Sequence, residues 1–201
     1  MSAPPPTRLT PEEYLALERT SEIKHEYYQG RMYAMAGGTH AHGLIVVNLA
    51  SELRQCSRRR SCFVTTSDVR LRISQAGPYT YPDVIVIRGE PVFADGRNDT
   101  VLNPTLIVEV LSKSTEAPDR GFKFAEYRKL ESLQEYVLVS QTEARVEKFR
   151  RQSDGWVLSE AVGIDQGVYF ESVECKIPMP EIYANVTFSP ESSEQPPPRT
   201  S

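Results

Sequence analysis

The sequence predicts a mixed α/β domain in which helices pack against a sheet. One observation behind this prediction is a stripe of apolar residues at helical spacing after residue 39. The other is a set of short β-branched runs between residues 62 and 140, separated by Gly, Pro, Asn and Asp. The resulting order of helix, three strands, helix and strand is typical of a domain whose helices cover a sheet.

The first elements are two helices with a hairpin between them. Thr10 and Glu13 give a capping box, so the segment "TPEEYLALER" begins a helix. The hairpin turns at Gln29 and Gly30. A long core helix then begins after Thr39. Its inward stripe consists of His42, Ile45, Leu49, Leu53 and Cys56.

The later elements are mostly strands. The segments "CFVTTSDVRLRI" and "TYPDVIVIRG" predict an antiparallel hairpin whose first strand places Arg70 and Arg72 on its polar face. The strand "TLIVEVLS" is apolar on both faces and is therefore expected to be central. A helix near residues 119–132, the strand "EYVLVS" and a hairpin turning near Asp154 complete the order.

Composition favours one soluble domain without membrane contact. The chain has 201 residues, of which 39% are hydrophobic and 25% charged. No apolar run approaches the roughly 20 residues of a membrane-spanning helix. We expect residues 1–8 and 189–201 to be disordered, because they are rich in Pro, Ser and charge, and residues 9–188 to form a single domain.

The N-terminus and the cysteines predict a cytoplasmic protein. The segment "MSAPPPTRL" lacks the charged and then apolar parts of a secretory signal. Cys56, Cys62 and Cys175 are odd in number and lack zinc-ligand spacing. We therefore interpret all three as free thiols, which suit a reducing compartment.

A basic cluster in "LRQCSRRRSC" is the densest positive patch of a chain whose formal net charge is -4. Since that net charge does not favour nucleic-acid binding by bulk attraction, local patches must supply any phosphate contacts. Arg58, Arg59 and Arg60 are the candidates. The alternative is that these arginines end a helix, where cations oppose the negative end of the helix dipole.

Two acids stand in apolar strands. Asp83 follows a proline and precedes the run "VIVI", and Glu109 lies inside the run "LIVEVL". An isolated ionised carboxylate in a low-dielectric sheet costs several kcal/mol, so both acids need compensation. Neighbouring strands lie about 4.8 Å apart, which lets two acids on one face share a divalent cation. The alternative is that each acid pairs with an arginine or with backbone amides.

Lys123 is predicted to face these acids. Lys123, Tyr127 and Leu130 form the inward stripe of the helix that follows Glu109. An ammonium beside two metal-binding acids is suited to orienting or deprotonating water and to stabilising charge on a phosphate under attack. The alternative is a lysine that extends past the helix edge to solvent.

These motifs carry a family resemblance. Asp83 after a proline, Glu109 on a following strand and Lys123 in "DRGFKFAEYRKL" resemble the PD-(D/E)XK nuclease superfamily. More narrowly, they resemble the Uma-two family of restriction-endonuclease-like proteins, over almost all of residues 9–188. The resemblance implies a restriction-endonuclease-like mixed sheet with a central strand pair flanked by helices.

The resemblance also implies hydrolysis of phosphodiester bonds in DNA, with Mg²⁺ or Mn²⁺ as cofactor. Asp83, Glu109 and the carbonyl of Val110 would then bind the metal ion, and Lys123 would position the attacking water. One position departs from the superfamily pattern. The lysine that normally stands two residues after the acid is replaced by Leu111, and Lys123 is the candidate replacement.

Other candidates for the site have weaker support. Asp68 resembles an acid that this family carries before its first hairpin strand, where it could contact a metal ion through water. The alternative is a surface partner for Arg70 or Arg72. His42 could approach the site from the core stripe of its helix, or it is a satisfied helix-start histidine. No local feature of Glu26 distinguishes it from a solvated residue.

Two functions are compatible with the sequence. The first is a DNA endonuclease, for which a homodimer is favoured because cutting both strands of a duplex suits two sites related by symmetry. The second is a nuclease-like scaffold that has lost catalysis and binds nucleic acid or a protein partner. Leu111 in place of the lysine and the net charge of -4 favour the second.

Overall fold

A computed structural model describes residues 8–58 and 61–188. Most of the N-terminal segment and the C-terminal tail that are expected to be disordered lie outside the described residues, as do Arg59 and Arg60. Within the described ranges the chain forms a six-stranded sheet, a five-stranded sheet and a two-stranded ribbon, with helices between them. The prediction of a mixed α/β fold is confirmed.

The elements have the following bounds. The helices are α1 (Pro11–Glu18), α2 (His40–Ser57), α3 (Glu116–Pro118), α4 (Phe124–Tyr127) and α5 (Met179–Ile182), with a π-helical turn at Asp119–Lys123 and a 3-10 turn at Glu171–Val173. The strands are β1 (His25–Tyr28), β2 (Arg31–Ala34), β3 (Cys62–Thr66), β4 (Arg70–Arg72), β5 (Tyr79–Thr80), β6 (Val84–Arg88), β7 (Thr100–Val101), β8 (Leu106–Leu111), β9 (Glu135–Ser140), β10 (Arg145–Gln152), β11 (Gly155–Val162), β12 (Gly167–Phe170) and β13 (Cys175–Pro178).

The six-stranded sheet forms the centre of the molecule. Its strand order is β11-β10-β9-β8-β6-β3, in which β8 and β9 are parallel and the other neighbours are antiparallel. All six residues of β8 are buried, and β8 lies between β6 and β9. The prediction that this strand is central is therefore confirmed.

Two apolar clusters cover the two faces of this sheet. Leu106, Val108 and Val110 of β8 face a cluster that includes the buried residues of α2, α5 and the two-stranded ribbon. Ile107 and Leu111 face a second cluster, which includes aromatic residues of α4 and β9. Since side chains alternate along a strand, Glu109 shares this second face.

The expected hairpin of residues 62–73 with 80–89 is divided between two sheets, which corrects the prediction of one continuous pair. β3 pairs with β6 in the six-stranded sheet, whereas β4 pairs with β5 in the five-stranded sheet of order β2-β1-β5-β4-β7. A turn before β4 and Pro82 before β6 interrupt the two strands. Asp83 therefore lies at the junction of the two sheets.

The helix predicted near residues 119–132 has different bounds. The helical segment begins at α3, passes through the π-helical turn and ends with α4 at Tyr127. Beyond it, the backbone N–H of Leu130 donates to the carbonyl of Tyr127, so the chain tightens into a turn that keeps Leu130 buried on the predicted face. The π-helical turn buries both Asp119 and Lys123.

The interpretation of all three cysteines as free thiols is wrong for two of them. Cys56 in α2 and Cys175 in β13 form a disulfide with Cα atoms 5.6 Å apart, whereas Cys62 is a buried free thiol. The pair is separated by 119 residues, so only the packing of α2 against the ribbon reveals it. The cysteines therefore no longer support a reducing compartment.

Among the described residues, we find no helix with both the length and the apolar character needed to cross a membrane.

Candidate active site

Asp83 and Glu109 lie opposite each other on adjacent strands. The register of β6 and β8 aligns Val84 with Val108, which places Asp83 beside Glu109. The backbone N–H of Asp83 donates a hydrogen bond to Glu109 Oε2 over 3.3 Å. The backbone N–H of Val110 donates to Asp83 Oδ2 over 2.7 Å. One oxygen of each acid thus accepts a hydrogen bond from a backbone amide. This agrees in part with the alternative that each acid pairs with an arginine or with backbone amides.

The ammonium of Lys123 lies in the same cluster. Its Nζ is 3.3 Å from Glu109 Oε1, 3.1 Å from Glu26 Oε1 and 3.1 Å from Asp119 Oδ1. The lysine side chain is only 11% exposed, so it does not extend to solvent. Asp119 reaches it from the same π-helical turn, and Glu26 reaches it from β1 of the other sheet.

Two tyrosines donate hydrogen bonds to residues of this cluster. The hydroxyl of Tyr127 donates to Glu109 Oε1 over 2.8 Å and lies 3.1 Å from Thr80 Oγ1. The hydroxyl of Tyr136 donates to the backbone carbonyl of Asp119 over 3.0 Å. Both tyrosines are fully buried. They therefore orient Glu109 and the π-helical turn from within the apolar core.

His42 contacts the exposed side of the acid pair. Its Nε2 lies 3.2 Å from Asp83 Oδ2, and its side chain is 20% exposed. The hydrogen bond to Asp83 raises the pKa of His42 above its ordinary value, and hydrogen bonding to the backbone of Val110 contributes in the same direction, whereas burial opposes both. His42 therefore contacts the acid pair and is not a histidine satisfied only within its own helix.

The cluster contains more acids than bases. Four carboxylates, those of Glu26, Asp83, Glu109 and Asp119, face the ammonium of Lys123 and the imidazole of His42.

The pKa shifts reflect this excess. The pKa of Glu109 is raised to about 8, mainly by burial and in part by Asp119, Asp83 and Glu26, against the opposing effect of Lys123. Burial also raises the pKa of Asp119. Burial alone would lower the pKa of Lys123, but Glu109, Glu26 and Asp119 outweigh it and hold that pKa well above its ordinary value. Glu109 and Asp119 therefore keep their protons to higher pH than ordinary carboxyl groups do, and a nearby cation would stabilise their ionised forms.

The donor set fits a hard divalent cation, although the side chains are not yet arranged around one. Within residues 8–58 and 61–188, no group of three His, Cys, Asp or Glu side chains already has the geometry of a metal site. The carboxylate of Glu109 instead binds Lys123 and Tyr127. Carboxylate and carbonyl oxygens are the ligands that Mg²⁺ and Mn²⁺ prefer, and Asp83, Glu109 and Val110 offer them.

Some predicted residues lie apart from this cluster. The carboxylate of Asp68 pairs with Lys24, and its side chain is 83% exposed. Arg58 caps the end of α2 and is exposed, which matches the helix-end alternative for that arginine. The predictions for Arg59 and Arg60 lie outside the described residues.

The sequence did not single out Glu26, Asp119 or Tyr127 as site residues. Asp119 stands four residues before Lys123, a spacing that signals an ion pair on a helix and could have identified it. Tyr127 was placed on the inward stripe without a polar role. Glu26 had no usable local signal, because its contact with Lys123 depends on how the two sheets meet.

Comparison with known proteins places this geometry in a family. The profile of the Uma2 family, described as "Putative restriction endonuclease", matches residues 11–175. The chain belongs to the Uma2 family. A relative from Synechocystis sp., an uncharacterised protein, is 39% identical to it over 163 residues, which are 81% of this chain and 92% of the relative. A second uncharacterised protein from the same organism is 36% identical over 192 residues, or 93% of this chain and 97% of that protein.

A solved structure supports the Uma2 fold. It is described as a "putative nuclease belonging to DUF820" from Anabaena variabilis and matches with a TM-score of 0.70 and 17% identity, covering 87% of this chain and 97% of that chain. At this identity the match concerns the fold alone. Both the resemblance to the Uma2 family and the restriction-endonuclease-like fold predicted from the sequence are confirmed.

Proposed function

We propose that this Uma2 protein is a divalent-metal-dependent endonuclease that hydrolyses phosphodiester bonds in DNA. The observation that carries the proposal is the excess of carboxylates over cationic side chains in one cluster. Glu26, Glu109 and Asp119 surround the ammonium of Lys123, and Asp83 lies beside Glu109. Buried anions are strongly destabilising unless cations compensate them. Mg²⁺ or Mn²⁺ is the cation that this set of oxygen donors favours. The description of the family supports the reaction class.

In this proposal Asp83, Glu109 and the carbonyl of Val110 would hold the ion, which would supply Lewis-acid activation of the phosphate and of water. Lys123 orients the attacking water or stabilises the charge that develops on the phosphate. The hydroxyl of Tyr127 and the backbone N–H of Asp83 orient the Glu109 carboxylate.

Cleavage of supercoiled plasmid tests the proposal. Purified protein with Mg²⁺ or Mn²⁺ should nick or linearise the plasmid, and Asp83→Ala or Glu109→Ala should abolish cleavage. Asp154→Ala, in the exposed turn between β10 and β11, is the matched control and should cleave as the wild type does. The proposal fails if the wild type is as inert as the two site variants across metal ions and DNA forms.

The proposal also covers DNA contacts and assembly. Arg58, Arg59 and Arg60, which follow α2 in the sequence, are proposed to bind DNA phosphates, and a homodimer is proposed to present two sites to the two strands. Light scattering of the purified protein, alone and with duplex DNA, measures the mass of the assembly. A monomer in both states would contradict the homodimer.

An inactive scaffold that binds nucleic acid or a protein partner is the second candidate. One observation favours it: Leu111 is buried where the superfamily lysine stands, and the ammonium of Lys123 is already held by three carboxylates. DNA binding that persists without metal, weakens with salt and weakens again when Arg58, Arg59 and Arg60 are changed to Ala would support it. Metal-dependent cleavage that is lost in Asp83→Ala would exclude it.

A further inference from the structure

The imidazole of His42 lies where a cation bound to Asp83 would meet it. His42 Nε2 is 3.2 Å from Asp83 Oδ2, the same oxygen that accepts a hydrogen bond from the backbone N–H of Val110. Asp83 and Val110 are two of the groups proposed to hold the metal ion. A cation at Asp83 Oδ2 must therefore either displace the His42 ring or take it as a ligand.

The backbone of His42 is linked by hydrogen bonds to β8, the strand that carries Glu109. The side chain of Thr39 caps α2 by accepting a hydrogen bond from the His42 backbone N–H over 3.1 Å. The Thr39 hydroxyl in turn donates to the side chain of Gln141. Gln141 Nε2 donates to the carbonyl of Leu111, at the end of β8, over 2.9 Å. This chain of hydrogen bonds holds the start of α2 against β8.

Gly38 flanks the His42 ring on the side of its Nδ1. A Cβ added at Gly38 would be 2.9 Å from His42 Nδ1, so the absence of a side chain at Gly38 leaves space for the imidazole. Nε2 is the nitrogen that faces the acids.

We propose that His42 Nε2 is a direct ligand of the divalent ion, beside Asp83, Glu109 and the carbonyl of Val110. This inference rests on the proposed function, because it requires a metal ion at that site. A nitrogen ligand also determines which ion the site prefers. Mg²⁺ strongly prefers oxygen ligands, whereas an imidazole nitrogen binds first-row transition metals well, so the site selects Mn²⁺ over Mg²⁺.

Electron spin-echo measurements on Mn²⁺-loaded protein test the inference without any assay of activity. A directly bound imidazole produces a nitrogen coupling, and growth on ¹⁵N-histidine shifts that coupling to the ¹⁵N pattern. The wild type should show it, His42→Gln should lose it, and His40→Gln should keep it. His40 is the matched control because it is exposed and lies two residues away on the same helix.

Titration calorimetry supplies an independent readout. His42→Gln should weaken Mn²⁺ binding by roughly tenfold and Mg²⁺ binding by much less, since only the nitrogen ligand is lost. Melting curves of each variant without metal verify that the fold is retained.

The outcomes separate the two proposals. Mn²⁺ that binds in an Asp83-dependent way, with no histidine nitrogen coupling in the wild type, overturns the role of His42 and leaves the proposed function intact. Absence of Asp83-dependent Mn²⁺ binding overturns both. Because the wild-type spectrum is decisive by itself, the test does not depend on whether His42→Gln folds.

Discussion

Lys123 Nζ lies 3.3 Å from Glu109 Oε1, although the two residues belong to different elements and are 14 positions apart. Leu111, which stands where the superfamily carries its lysine, is buried in the apolar cluster on the same face of β8. The helical segment that covers this face thus places the ammonium of Lys123 beside the carboxylate of Glu109 in β8. The contact is compatible with migration of the lysine from the strand to the helix.

Replacing Lys123 should strongly destabilise the protein. Lys123→Met leaves the buried Glu109 and Asp119, and the partly buried Glu26, without their common cation, so we expect the free energy of unfolding to fall by about 3 to 5 kcal/mol at pH 7. Urea denaturation measures the change. Lys129→Met is the control, because the Lys129 side chain is 59% exposed and its loss should cost about 0.5 kcal/mol or less. Equal losses in the two variants would contradict the buried cluster.

Tyr127→Phe should lower stability and metal affinity together. The change removes the hydroxyl that donates to Glu109 Oε1 and leaves Lys123 as the remaining donor to that oxygen, so we expect the free energy of unfolding to fall by about 1 to 2 kcal/mol. Urea denaturation and Mn²⁺ titration measure the two effects. Tyr33→Phe, at a tyrosine that is 49% exposed, should change neither. A Tyr127→Phe protein with wild-type values in both measurements would show that the hydroxyl does not orient Glu109.

Asp99 should make stability depend on pH in the acid range. Its carboxylate lies 2.8 Å from Arg19 Nε and 3.0 Å from an amino nitrogen of Arg70. The hydrogen bond from Arg19 holds the pKa of Asp99 well below its ordinary value, with Thr100 and Arg70 acting in the same direction.

The sign of this effect follows from linkage. A depressed folded-state pKa stabilises the fold above the unfolded pKa of about 3.9, and that contribution is lost as pH falls toward the folded value. Asp99→Asn should therefore unfold more easily than the wild type at pH 7, and the difference should narrow below about pH 4. Asp154→Asn should follow the wild-type curve. A difference for Asp99→Asn that is constant from pH 7 to pH 2 would contradict the ion pair.

Reduction of the disulfide should destabilise the fold. Closing a loop of 119 residues between Cys56 and Cys175 contributes about 5 kcal/mol in the chain-entropy description. A thiol reagent should find one free cysteine, Cys62, in protein unfolded without reductant, and three after reduction. Cys62→Ala should keep the response to reductant. Three reactive thiols before reduction would show that the bond does not form in the purified protein.

Part of the candidate site was predictable because its signal is local. Asp83 and Glu109 interrupt apolar runs, and Lys123 shares an inward stripe with Tyr127, so the sequence alone indicates that the three residues meet. Glu26 gave no such signal. It lies on a hairpin of the five-stranded sheet, and its proximity to Lys123 arises only where that sheet meets the central one.

The same distinction applies to the fold. The caps, turns and apolar periods of α1, α2 and β8 depend on neighbouring residues, and their predictions are confirmed. Arg70 was placed on a polar strand face, yet it is buried, because Asp99 and Tyr81 meet its guanidinium from distant segments. The disulfide and the division of the hairpin between two sheets likewise depend on tertiary contacts that no local pattern encodes.

Calorimetric titration of Mn²⁺ and Mg²⁺ into the wild type and Asp83→Asn tests the central claim most directly. We expect saturable binding of both ions to the wild type and at least about tenfold weaker binding to Asp83→Asn. Asp68→Asn, at an exposed acid outside the cluster, should bind as the wild type does. A wild type that binds neither ion, or an Asp83→Asn protein that binds both with unchanged affinity, would contradict the claim that these buried acids form a metal site.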